Sequence, residues 1–183
     1  MGTIANILIV IMEIVALRIS FRRIGREMFI YYTELSNIVT LISSVAYLLT
    51  GGNAPVLRYL SAVGLTMTFL ITLCVLIPMG GDFKELMLQE NGLYHHTLVP
   101  ILSLISYVFW EKHSTLWMFP VALTILYGLT MMFLNVIGKI DGPYPFLRIR
   151  HQSRAASILW FFTLIAIISA ISFAVIFLAE HCS

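Results

Sequence analysis

The chain has 183 residues, 60% of them hydrophobic and 11% charged, with a net charge of +2. A soluble domain of this size carries about a quarter charged residues, so the composition belongs in lipid and excludes most soluble enzyme folds. The Lys and Arg residues are scattered in short groups, leaving no basic face for nucleic acid.

Six apolar stretches, each near the roughly 20 residues that cross a bilayer as a helix, predict an all-α polytopic membrane protein. In chain order the expected spans are 3–19, 28–49, 57–77, 93–109, 116–137 and 156–179, forming one six-helix bundle and a single domain over 1–183. The first has the length of a signal-peptide core, but its basic residues follow it, in RISFRRIGRE, so it is read as a retained span. Cys74, inside an apolar run, and Cys182, near the C-terminus, form neither a CxxC pair nor a disulfide framework.

Loop charges give the orientation. Arg18, Arg22, Arg23 and Arg26 fall in the first loop, Lys84 in the third, and Lys139, Arg148, Arg150 and Arg154 in the fifth, while the other side receives Arg58 and Lys112. Nine against two puts the odd-numbered loops in the cytoplasm and both termini outside. The third loop, MGGDFKELMLQENG, has capping-box-like spacing at Asp82 and Glu85 and predicts a short interfacial helix. The fifth, GKIDGPYPFLRIRHQSR, begins irregularly because of Pro143 and Pro145.

In lipid the backbone satisfies itself within helices, so the polar side chains carry the information. Thr33, Ser36, Asn37, Thr40 and Ser44 recur at helical spacing and make one stripe on the second span. Helix packing by interhelical hydrogen bonds and the lining of a site both explain such a stripe. The fourth span opens with YHHTLVP, which sets His95 and His96 at about the depth of Thr33 on the same side. A threonine hydroxyl needs a neighbouring base, and histidine suits that task near neutral pH, so Thr33 with His95 or His96 is a candidate acyl-transfer pair. An interfacial histidine also has a purely structural reading.

Glu13, in the middle of the first span, is costly at that depth and has no cationic partner that the sequence reveals. It is free to be protonated, to bond the stripe, or to orient a histidine. Glu34 is within reach of the Arg22, Arg23 and Arg26 cluster. The spacing of Glu13, Glu34, His95 and His96 matches no ligand motif such as HExxH, so neither a metal nor a cofactor is expected.

YYTELSNIV in the second span, NGLYHHTLVPIL in the fourth and YPFL in the fifth loop, in that order, resemble the androgen-induced and androgen-dependent membrane proteins of animals and their bacterial relatives. The resemblance runs from about Phe29 to Trp160. It implies a multi-span hydrolase of fatty acid esters of hydroxy fatty acids, with a threonine nucleophile on Thr33, a histidine on His95 and, for a bacterial relative, a place in the cytoplasmic membrane. His96 occupies the family's small polar position, which is a departure. The expected activity is thus hydrolysis of a long-chain lipid ester within the membrane. Asn37 and His96 are candidate oxyanion donors, and Glu13 is a candidate orienting group. Ser36, Arg148, Arg150 and Arg154 are candidates for substrate binding, although the loop charge bias already accounts for the arginines. The rival reading is a small proton-coupled transporter in which Glu13, Glu34 and the histidines relay protons. A non-catalytic lipid-binding or assembly protein is a third.

Overall fold

The computed structural model describes residues 1–182, and among them the regular structure is entirely helical. The main helices are α1 (Gly2–Ile24), α2 (Tyr32–Leu49), α3 (Pro55–Ile71), α6 (Val99–Trp110), α7 (Met118–Val136) and α8 (Arg154–Cys182). Two short pieces, α4 (Phe83–Leu88) and α5 (Glu90–Gly92), lie between α3 and α6. The expected third-loop helix is α4, and Asp82 caps it by accepting a 2.7 Å hydrogen bond from the Glu85 amide. α1, α2, α3 and α6 pack as one group, with α7 and α8 against each other and against α3.

Five helical segments are long and apolar enough to cross a bilayer, as an integral membrane protein requires: Gly2–Ile30, Pro55–Leu76, Glu90–Trp110, Met118–Val136 and Arg154–Cys182. The expected span at 28–49 forms a helix, α2, but its first turn and inner face are heavily polar. Thr33, Glu34, Ser36, Asn37, Thr40, Ser43 and Ser44 are all buried there. Outer faces are apolar, with Ile4, Ile11 and Ile14 of α1, Leu126 and Phe133 of α7, and Phe162 and Phe177 of α8 exposed. This inside-out distribution suits a hydrocarbon solvent, in which polar side chains turn toward one another.

Two departures from regular α-helix bear on the site. The chain widens into a π turn at Thr72–Leu76, directly after α3, and again at Leu93–Leu98, directly before α6. The i to i−5 bonds are made by the Ile77 amide to the Thr72 carbonyl (3.0 Å) and the Val99 amide to the Tyr94 carbonyl. Each inserts an extra residue into the helical ladder, which re-aims the side chains around it. His95 and His96 lie on the second π turn, and Thr72 opens the first.

At the opposite end of α2 and α3 the structure corrects the loop reading of Arg58. It is not a loop cation: Pro55 starts α3, and Arg58 in its first turn is fully buried. Its guanidinium forms a bidentate pair with Glu111, Nε to Oε2 at 2.8 Å and Nη2 to Oε1 at 3.1 Å. Ser43, Ser44, Ser61 and Ser103 take the remaining donors at 3.0–3.3 Å, and Asn6 and Ser106 donate to Glu111. Four main helices therefore meet on one ion pair whose polar valences are met, the condition under which a buried pair is tolerated.

Candidate active site

Thr33 sits in the first turn of α2, where a helix has backbone donors with no intrahelical acceptor. The Tyr144 hydroxyl fills that role. The Thr33 amide donates to it at 3.2 Å, and Thr33 Oγ1 lies 3.3 Å from the same oxygen. Tyr144 comes from the irregular segment between α7 and α8, where Pro145–Leu147 make a single 3-10 turn. Its ring stacks on Phe146 at 5.2 Å and meets Tyr31 edge-on at 5.9 Å. Burial pushes the Tyr144 phenol up to about 12, so it keeps its proton at neutral pH and remains a donor.

His95 is completely buried between two carboxylates. Nε2 lies 3.4 Å from Glu13 Oε2 on α1, and Nδ1 lies 3.4 Å from Glu34 Oε2 on α2. Of the roles open to Glu13, the structure sets it beside a histidine, although neither carboxylate oxygen has a hydrogen-bond partner. Glu34 does not join the arginine cluster: it accepts a 2.8 Å bond from Ser20, which accepts one from Asn91, also at 2.8 Å. Arg23 pairs with Glu85 at 2.7 Å and Glu90 at 3.3 Å. Because Glu13 and Glu34 face opposite ring nitrogens, the lone pairs of the three groups do not converge on a common point. Among the described residues, no cluster of three or more His, Cys, Asp or Glu is arranged to hold a metal ion.

His96 faces another way. Its Nδ1 is 2.7 Å from Thr72 Oγ1, a bond that ties the two π turns together. It lines a cavity of about 1150 Å³, open mouth included, of mixed character, in which Ser20, Arg23, Thr33, Glu34 and Tyr144 stand beside Ile24, Leu76, Met79 and Leu86. Thr33 and Tyr144 also line a second space of about 730 Å³, open side included, between α3, α7 and α8. Met67, Ile71, Met132, Phe161 and Leu164 make that one an apolar groove. Thr33 therefore stands where this cavity and the apolar groove meet.

The remaining sequence candidates are placed as follows. Ser36 donates to the Thr33 carbonyl at 2.9 Å and lies 3.1 Å from Thr68 Oγ1. Asn37 donates to the same carbonyl at 2.7 Å, and its buried Oδ1 has no partner. No hydrogen bond joins Thr33 to either histidine among the described residues. Arg148, Arg150 and Arg154 are exposed, and none lines either space beside Thr33. Arg150 faces Asp141 at 3.7 Å, and Arg148 reaches the Gly142 carbonyl at 3.5 Å.

Sequence reasoning missed Tyr144 and the Arg58–Glu111 pair as parts of the polar interior. Tyr144 lay inside YPFL, yet no periodicity points a loop side chain at a helix start. Comparison with family models, with curated proteins and with solved structures gives no match, so the chemistry rests on this geometry and on the motif resemblance.

Proposed function

We propose that the chain is an intramembrane hydrolase of long-chain lipid esters, with Thr33 as the nucleophile and a histidine of the Leu93–Leu98 turn as the general base. The observation that carries this reading is the position of Thr33, which lines both an apolar groove and the wider cavity that holds His96. An acyl chain fits the groove, and the ester carbonyl then lies beside Oγ1. The base takes the Thr33 proton, Oγ1 bonds to the carbonyl carbon, and the carbonyl electron pair moves onto oxygen. Collapse of that intermediate breaks the bond to the leaving alkoxide, which takes the proton from the imidazolium. Water, activated by the same imidazole, then cleaves the acyl-threonine. Fatty acid esters of hydroxy fatty acids, or similar long-chain esters, are the substrates that the motif resemblance suggests.

The motif resemblance makes His95 the base. His95 reaches Thr33 only by leaving its position between Glu13 and Glu34, whereas His96 already shares a cavity with Thr33. Single His95→Ala and His96→Ala variants assign the step. The base variant loses ester cleavage and fluorophosphonate labelling of Thr33. Loss of the other ring leaves labelling in place.

We take α2 as the sixth span, its polar stripe turned into the bundle. With Arg58 buried, the loop charges stand at nine on one side against Lys112 alone, which favours cytoplasmic odd-numbered loops more strongly than before. A second reading, a proton-coupled carrier, draws on the buried carboxylates flanking His95. Proton-linked flux in liposomes that is abolished by Glu13→Gln, with no ester cleavage by wild type, favours that reading over the hydrolase.

A further inference from the structure

A threonine hydrolase needs a donor aimed at the oxyanion, and the polar groups around Thr33 narrow the choice. The Asn37 amide is committed to the Thr33 carbonyl, behind the nucleophile. His96 Nδ1 is committed to Thr72. Of the other phenols on the groove, Tyr127 donates to the Ile30 carbonyl at 2.8 Å, and Tyr32 is paired with Thr124 at 2.9 Å. Among the phenols of the described residues, Tyr144 is the one bonded to Thr33, and it lines both spaces that meet there.

The Thr33 amide donates to the phenol oxygen and so fixes that oxygen relative to the α2 backbone. Thr33 Oγ1 lies 3.3 Å from the same oxygen and either hydroxyl can donate, so the phenol O–H donates to Oγ1 once the threonine proton is turned to the base. When Oγ1 attacks, its lone pair becomes the new bond to carbon and it weakens as an acceptor. The carbonyl oxygen on that carbon lies one bond angle away. A donor 3.3 Å from Oγ1 is then within a small rotation of the roughly 2.7–3.1 Å that an oxyanion requires.

We propose that Tyr144 is a catalytic residue, the oxyanion donor for Thr33, which passes its hydrogen bond from Oγ1 to the substrate oxygen as the tetrahedral intermediate forms. This inference rests on the threonine-hydrolase reading above. No proton changes hands at Tyr144, so the base and the leaving alkoxide keep the proton balance already described. An acyl arm that is a single apolar chain suits the groove beside it, with the alcohol arm directed to the wider cavity.

Tyr144→Phe keeps the ring against Phe146 and Tyr31 and removes the donor. Its test is a long-chain alkyl trifluoromethyl ketone, which forms a tetrahedral adduct with the nucleophile, set against a chain-matched alkyl ether, which forms none. The expected result is a loss of roughly a hundredfold or more in kcat and in ketone affinity, with KM and ether affinity within about threefold. Equal weakening of ketone and ether, or a kcat within about threefold of wild type, overturns the proposal. If Tyr144→Phe does not fold, 3-fluorotyrosine at position 144 keeps the shape and makes the phenol more acidic. The alkaline limb of kcat then moves to lower pH, and an unmoved limb overturns the proposal. Wild type that binds neither the ketone nor a cleavable ester ends the hydrolase reading as well. An active wild type with a fully active Tyr144→Phe ends only this inference.

Discussion

His95 Nε2 lies 3.4 Å from Glu13 Oε2, both side chains fully buried, which joins the middle of α1 to the π turn that precedes α6. The contact is within ion-pair distance, and neither atom has a hydrogen-bond partner. Glu13→Leu takes the carboxylate away from that buried nitrogen, and the lost interaction should cost about 1–3 kcal/mol. Thermal unfolding in detergent should show that loss, whereas Glu13→Gln, which keeps a polar partner, should be milder. Equal stability of Glu13→Leu and wild type would show that the contact contributes nothing to the fold.

The Arg58–Glu111 pair makes a different prediction. Removing one partner, as in Arg58→Met or Glu111→Leu alone, leaves an uncompensated buried charge and should destabilise by about 3–5 kcal/mol. Replacing both together should recover much of that loss, since well-packed apolar side chains are tolerated in place of a buried pair. A double-mutant cycle measures the coupling, and strictly additive losses would contradict the ion-pair account.

Gly128 on α7 lines the apolar groove and has open space around the position where a Cβ would stand. Leucine is a better helix former than glycine by close to 1 kcal/mol, so Gly128→Leu should fold while filling the groove. The expected outcome is a raised KM for long acyl chains and an unchanged rate for a short ester. Parallel rates across a chain-length series for variant and wild type would place the acyl chain elsewhere.

How much of this was legible in the sequence depended on the physics behind each feature. The polar stripe on α2 could be read because period and scarcity coincide: in a chain this apolar, five hydroxyl and amide residues at helical spacing must face inward. That Thr33 and His96 line one cavity was within reach of the sequence, since each falls in the first turns of its helical segment. Arg58 was misread because it lies five residues after a Gly-Gly-Asn turn signal, where a span end and a loop carry the same local code. Only Glu111, arriving from the end of α6, distinguishes them. The π turns at Thr72 and at His95 and His96 have no sequence signature comparable to a cap or a proline. Helical periodicity alone therefore did not assign His95 to Glu13 and Glu34 and His96 to Thr72.

The central claim is that Thr33 is the nucleophile, and activity-based labelling followed by peptide mapping tests it most directly. Purified wild type treated with a long-chain fluorophosphonate should carry one covalent adduct, on the peptide containing Thr33. Thr33→Ala, still folded, should neither label nor cleave ester. An unlabelled wild type, an adduct at another residue, or a Thr33→Ala variant that still cleaves long-chain esters would contradict the account.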